Sequence, residues 1–187
     1  MNSPFRIFSI LLLGLLAIFI QGTLLQALAP GLIVVPNFII IMVVFLAFYE
    51  TSVTGALIAF TLGLELDFAS GVLLGPWCGA CVVVYAFFSS ISQRVFVDAP
   101  AAVFLAVLAA CPIAQAIFLT LLLQFRSSEA SPLFFSLRAL TETALTALLA
   151  PWVFGLLRRV VLKSERSWSD RKTGKGWEAR KRVLREG

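Results

Sequence analysis

Histidine is absent from the 187 residues, charged side chains make up only 13% of them, and cysteine occurs three times. Without imidazole the chain lacks the side chain that titrates nearest neutrality, the commonest metal ligand and the base of a Ser-His-Asp triad. An enzyme is therefore not expected, and neither is a metal or another cofactor. Cys78 and Cys81 form a CxxC at the start of an apolar helix, and Cys111 lies in another apolar segment. A thiolate in hydrocarbon is costly and a second ligand pair is missing, so all three read as small packing residues. Charge is scarcest near the N-terminus, where no charged side chain stands between Arg6 and Glu50.

Apolar residues fill the space that charge leaves. They make up 60% of the chain and the mean hydropathy is +0.97, whereas soluble domains carry roughly 25% charged residues. In hydrocarbon every backbone polar group has to be bonded within the protein, which restricts spanning elements to helices or a closed barrel. Long apolar runs without strict alternation select helices. The expected fold is an all-α polytopic membrane domain over residues 1–157, with helices near 7–28, 36–49, 53–66, 77–92, 101–125 and 133–157. Five spans result if the short second and third segments form one re-entrant hairpin. Ala27-Leu28-Ala29 resembles a signal-peptidase site, but the apolar run before it exceeds the usual signal core, so this segment is expected to stay as the first span.

Breaks and polar residues set the details. Pro36 is expected to open the second helix, because a missing N–H costs nothing in a first turn. Gly55, Ala59 and Gly63 recur every four residues, a spacing that lets two helix backbones approach closely. Ala102, Ala106, Ala110 and Ala114 repeat it on the fifth segment, where Pro112 should kink the helix. Either face is suited to an internal helix or to a partner's transmembrane helix. The stretch from Asp67 to Pro76 reads as a Gly-rich break.

Acids inside a membrane usually persist for a reason. Glu65 and Asp67 lie two residues apart, hence about 200° apart around a helix, and cannot form a dyad. A headgroup-level position at the end of the helix accounts for them, with Asp67 accepting backbone N–H bonds from the break. Arg138 and Glu142 are four apart and suited to pairing along the last span. With Gln115 they are the intramembrane polar residues that a solute-binding protein would use.

Positive charge is concentrated at the end. Residues 158–187 carry 11 basic and 4 acidic side chains, net +7, and the remaining residues carry 4 and 6, net −2. With both termini cytoplasmic, Arg6, Arg94 and the tail place 13 of the 15 basic residues on the inner side, as the positive-inside rule requires. Trp168 and Trp177 suit a tail that lies on anionic lipid. An acidic cytoplasmic protein is the sharper alternative, and nucleic acid is not expected.

The stretch from Pro36 to Ser92 resembles the MreD family, small bacterial rod-shape proteins of the inner membrane. The resemblance rests on Pro36-Asn37, Gly55-Ala56-Leu57, Gly63-Leu64-Glu65-Leu66-Asp67, Ser70-Gly71 and Leu74-Gly75. Near the C-terminal end, Ala147-Leu148-Leu149-Ala150-Pro151 with Phe154 and Leu156-Leu157 adds to it. The long basic tail is less typical of that family. The resemblance implies a non-enzymatic component of the cell-elongation machinery of peptidoglycan synthesis, in a bundle similar to the S-components of energy-coupling-factor transporters. It further implies a single-pass periplasmic partner of the MreC type, MreB filaments, and RodA with its transpeptidase. Gly55, Ala59 and Gly63 would then serve packing or partner docking, and Asp67, Gly71 and Gly75 would shape the outer break. The alternative is a small-solute carrier of the S-component type, built around Glu142, Arg138 and Gln115.

Overall fold

The computed structural model describes residues 4–24, 35–71, 74–92, 100–125 and 132–172, with side chains over 7–23, 35–71, 74–92, 100–124 and 139–159. The expected loops at 93–99 and 126–131, the Ala27-Leu28-Ala29 site and Trp177 lie outside the described residues. So do the side chains of Arg6, Arg138 and Trp168.

Among the described residues the regular structure is entirely helical. It comprises α1 (Pro4–Phe19), α2 (Phe38–Tyr49), α3 (Val53–Ser70), α4 (Pro76–Ser92), α5 (Pro100–Phe125) and α6 (Pro132–Lys172), with one π-helical turn, Ile20–Leu24, continuing α1. Three stretches, Val53–Ser70, Pro100–Gln124 and Ala139–Arg159, are long and apolar enough to cross a membrane, and Ile7–Thr23, Phe38–Tyr49 and Pro76–Ser92 are shorter apolar helices.

The arrangement is a ring around one central helix. α1 packs on α3, α3 on α4, α4 on α5, α5 on α6, and α6 returns to α1, while α2 touches all five. This enclosure explains the character of α2, whose residues 39 to 47 are buried on every side. A helix that is apolar all round belongs in an interior. Its 12 residues give a length of about 18 Å, shorter than the ~30 Å hydrocarbon layer, and α2 is the core helix of the bundle. The outer helices turn large apolar side chains outward, among them Leu12, Leu15 and Phe19 on α1, Leu57 and Phe68 on α3, and Leu148 and Trp152 on α6. That exterior suits lipid.

Several boundaries differ from the sequence reading for local reasons. Pro36 lies before α2, which is capped instead by Asn37, whose side chain accepts from Ile40 N–H at 3.3 Å. α3 does not stop at Leu66 but runs to Ser70 and ends at Gly71 in the left-handed conformation, φ 63°. Helices favour glycine there because it has no Cβ to clash. The break therefore shrinks to residues 71–75, and Asp67 belongs to the last turn of α3. α5 continues through Pro112. α6 passes Pro151 and continues to Lys172, so its 41 residues extend about 60 Å, roughly twice the hydrocarbon thickness.

Candidate functional site

The α3–α4 hairpin holds the polar chemistry that the sequence reading singles out. Asp67 is 1% exposed, so it is buried in the protein. Its Oδ2 accepts the backbone N–H of Gly75 at 2.9 Å and of Cys78 at 3.1 Å, and Oδ1 accepts that of Trp77 at 3.0 Å. The N–H groups of a first helical turn have no intrahelical partner and carry the positive end of the helix dipole. One carboxylate from α3 thus satisfies three donors at the start of α4. The break supplies the geometry: Gly75 has φ 118°, open only to glycine, and Pro76 begins α4 at a position that needs no N–H.

Small residues bring the two helices into that range. A Cβ on Gly63 would lie 2.7 Å from Cys78 Cα and 2.8 Å from the carbonyl oxygen of Trp77. Both are backbone atoms, which cannot step aside. Ala59 is fully buried on the same face, and a Cβ on Gly55 would collide with the Tyr85 hydroxyl. The Gly55, Ala59 and Gly63 face is thus occupied by the chain's own α4. On α5, Ala110 and Ala114 are fully buried, whereas Ala102 and Ala106 are partly covered.

Toward the other end of α4 the hairpin is held by Tyr85, a residue the sequence reading did not single out. Its hydroxyl donates to the carbonyl of Glu50 and also lies 2.9 Å from that of Ser52, both in the α2–α3 turn. The available signal was chemical: a tyrosine in an apolar helix requires a partner for its hydroxyl.

A second polar group anchors the start of α2. Asn37 N–H donates to Thr146 Oγ1 of α6 at 3.0 Å, and Phe38 N–H donates to Gln21 Oε1 in the π-helical turn at 3.1 Å. Thr146 in turn donates to the carbonyl of Glu142 at 2.6 Å. Glu142 and Gln115 are half-buried on α6 and α5, and Arg138 lies on α6 outside the described side chains. Cys78, Cys81 and Cys111 are buried and free. Among the described residues no group of three or more His, Cys, Asp or Glu side chains is placed to hold a metal.

These features define a class. The chain is a helical membrane protein in which the buried side chains of Asp67, Asn37 and Thr146 are bonded to backbone and hold helix ends in place. The family can also be stated: the MreD family model, described as rod shape-determining protein MreD, matches residues 1–160, and the chain belongs to that family. No curated protein and no solved structure matches it. The family is one of structural, shape-determining membrane proteins.

Proposed function

We propose that this protein is a non-enzymatic docking component of the bacterial cell-elongation machinery, seated in the inner membrane with both termini in the cytoplasm. Its partners on this reading are a single-pass periplasmic protein of the MreC type, MreB filaments, and RodA with its transpeptidase. The basic end of α6 and the residues beyond it meet anionic lipid at the inner leaflet.

The observation that carries the reading is the use made of buried polarity. The Asp67 carboxylate is committed to three N–H donors at the start of α4, those of Gly75, Trp77 and Cys78, and Thr146 is committed to the N-cap of α2. Groups engaged in this way stiffen a body and are not available for turnover. A ring of helices closed on a central one, with lipid-suited side chains outside, provides a rigid surface on which a partner's transmembrane helix can pack. Because lipid is as apolar as leucine, such packing relies on shape and hydrogen bonds.

Depletion followed by complementation tests the proposal. Rod shape should be lost without the protein and restored by the wild type, which should co-purify with a single-pass periplasmic partner. Normal rods after complete depletion would refute it. Orientation is tested separately: a cysteine placed in the basic tail should resist membrane-impermeant reagents in intact cells.

A further inference from the structure

We infer that the outward face shared by α5 and α6 is where a second copy of this chain packs, with Trp152 of each copy donating to the Leu108 carbonyl of the other. This goes beyond the docking role and does not depend on it. Trp152 is 79% exposed on α6, and among the described residues its indole N–H meets no acceptor. Tryptophan on the surface of a membrane protein ordinarily sits at headgroup level, where that N–H is wet. Trp152 stands seven residues inside Arg159, the end of the span Ala139–Arg159, which puts it about 10 Å into the hydrocarbon layer. Lipid tails carry no acceptor there.

The neighbouring helix exposes the opposite partial charge. Pro112 has no N–H, so the carbonyl of Leu108 lacks the bond that a continuous helix would give it. Both residues face outward on α5, Leu108 being 37% exposed. The two helices follow one another after a short connection and pack side by side, hence antiparallel, and their register is set where Cys111 lies against Thr146. Leu108 is three residues before Cys111 and therefore level with residue 149, three after Thr146. A helical side chain leans toward the N-terminus of its own helix, which brings the Trp152 indole to that level.

Donor and acceptor thus stand at one depth on adjacent helices. A twofold axis along the membrane normal keeps every residue at its own depth, so it joins a donor only to an acceptor in the same layer, and this molecule carries both. The resulting interface is isologous and makes the bond twice. Shape agrees: α6 exposes Leu148 beside Trp152, while the exposed residues of α5 from 109 to 120 are Ala109, Pro112, Ala116 and Thr120, small enough to let a facing helix approach closely.

The test uses the full chain, labelled at its N-terminus, reconstituted in vesicles at increasing lipid dilution, with copies counted by single-molecule bleaching against a monomeric control. The wild type should dimerise. Trp152→Phe keeps a ring and removes the donor; with two interhelical bonds lost, it should dimerise about tenfold more weakly. A Cβ on Gly155, one turn from Trp152 on the same outward side, meets nothing within 4 Å in the single chain. Gly155→Leu should therefore leave the melting midpoint in detergent unchanged and abolish the dimer. Oxidation of a mixture of Ala109→Cys and Leu148→Cys chains should crosslink one to the other. A wild type that stays monomeric at every dilution would overturn the proposal, as would either variant dimerising like the wild type, or a dimer whose mixed cysteine chains do not crosslink.

Discussion

Replacing Asp67 by asparagine is the most informative perturbation, because it keeps the shape of the side chain and changes only its charge and one acceptor. In the wild type two carboxylate oxygens serve three donors: Oδ2 takes Gly75 and Cys78, and Oδ1 takes Trp77. Asparagine in its better orientation keeps its carbonyl on the two-donor side and turns an NH₂ group toward Trp77 N–H. One charge-assisted bond, contributing about 1.5–3 kcal/mol, is replaced by opposed donors. The favourable contact with the α4 dipole, about 0.3–2 kcal/mol depending on burial, is lost as well. The sum is a destabilisation of about 2–5 kcal/mol. For a chain of this length each kcal/mol moves a melting midpoint by about 2–4 °C. The assay is thermal unfolding of the detergent-purified protein, followed by tryptophan fluorescence, since Trp77 sits in the affected turn. Alanine at the same position leaves all three donors unsatisfied and should cost more than asparagine. If Asp67→Asn matches the wild type in melting midpoint, and in rescue of cell shape, the clamp is not what holds α4, and the reasoning from geometry fails.

Gly63→Leu drives side-chain atoms into the backbone of Cys78 and Trp77; overpacking of this kind costs about 1–3 kcal/mol or more and should be visible as lost accumulation in membranes. Tyr85→Phe removes the tie to the Glu50–Ser52 turn and should cost about 1–3 kcal/mol, read as a lower melting midpoint with insertion unchanged. Thr146→Val conserves shape but leaves the buried Asn37 N–H without its acceptor; a loss of about 1–3 kcal/mol is expected, with faster hydrogen exchange confined to the start of α2.

Much of the fold was legible because membrane insertion leaves a coarse signature. Uninterrupted apolar runs show that helices form, and Gly55, Ala59 and Gly63 mark a close approach by spacing alone. The sequence does not show which apolar helix goes to the centre. α2 is apolar on every face, and a helix enclosed by five others and a helix bathed in lipid satisfy the same pattern. Asp67 was legible as an acid that accepts backbone bonds, but its burial was not, because that depends on where α3 ends and how α4 packs against it. Gly71 could have located that end as a C-cap glycine, since Gly75 and Pro76 follow within five residues. Glu65 shows the same limit: its position between Leu64 and Leu66 is plain, but its neighbour Gly14 is some fifty residues away and is brought to it only by the packing of α1 on α3. Thr146 was missed because threonine hydroxyls in apolar helices commonly bond within their own turn, and Tyr85 because the need of its hydroxyl for a partner does not say which element supplies one.

The central claim is that this membrane body acts by presenting a fixed helical surface to another membrane protein. Photo-crosslinkers placed one at a time in living cells at outward apolar positions, Leu12 and Leu16 on α1, Leu57 and Phe60 on α3, and Leu148 and Trp152 on α6, test it directly. The account predicts that one contiguous face captures a single-pass periplasmic protein in the wild type and that the adduct is lost with Asp67→Ala. Capture of lipid alone at every position, in cells that still elongate as rods through this protein, would contradict it.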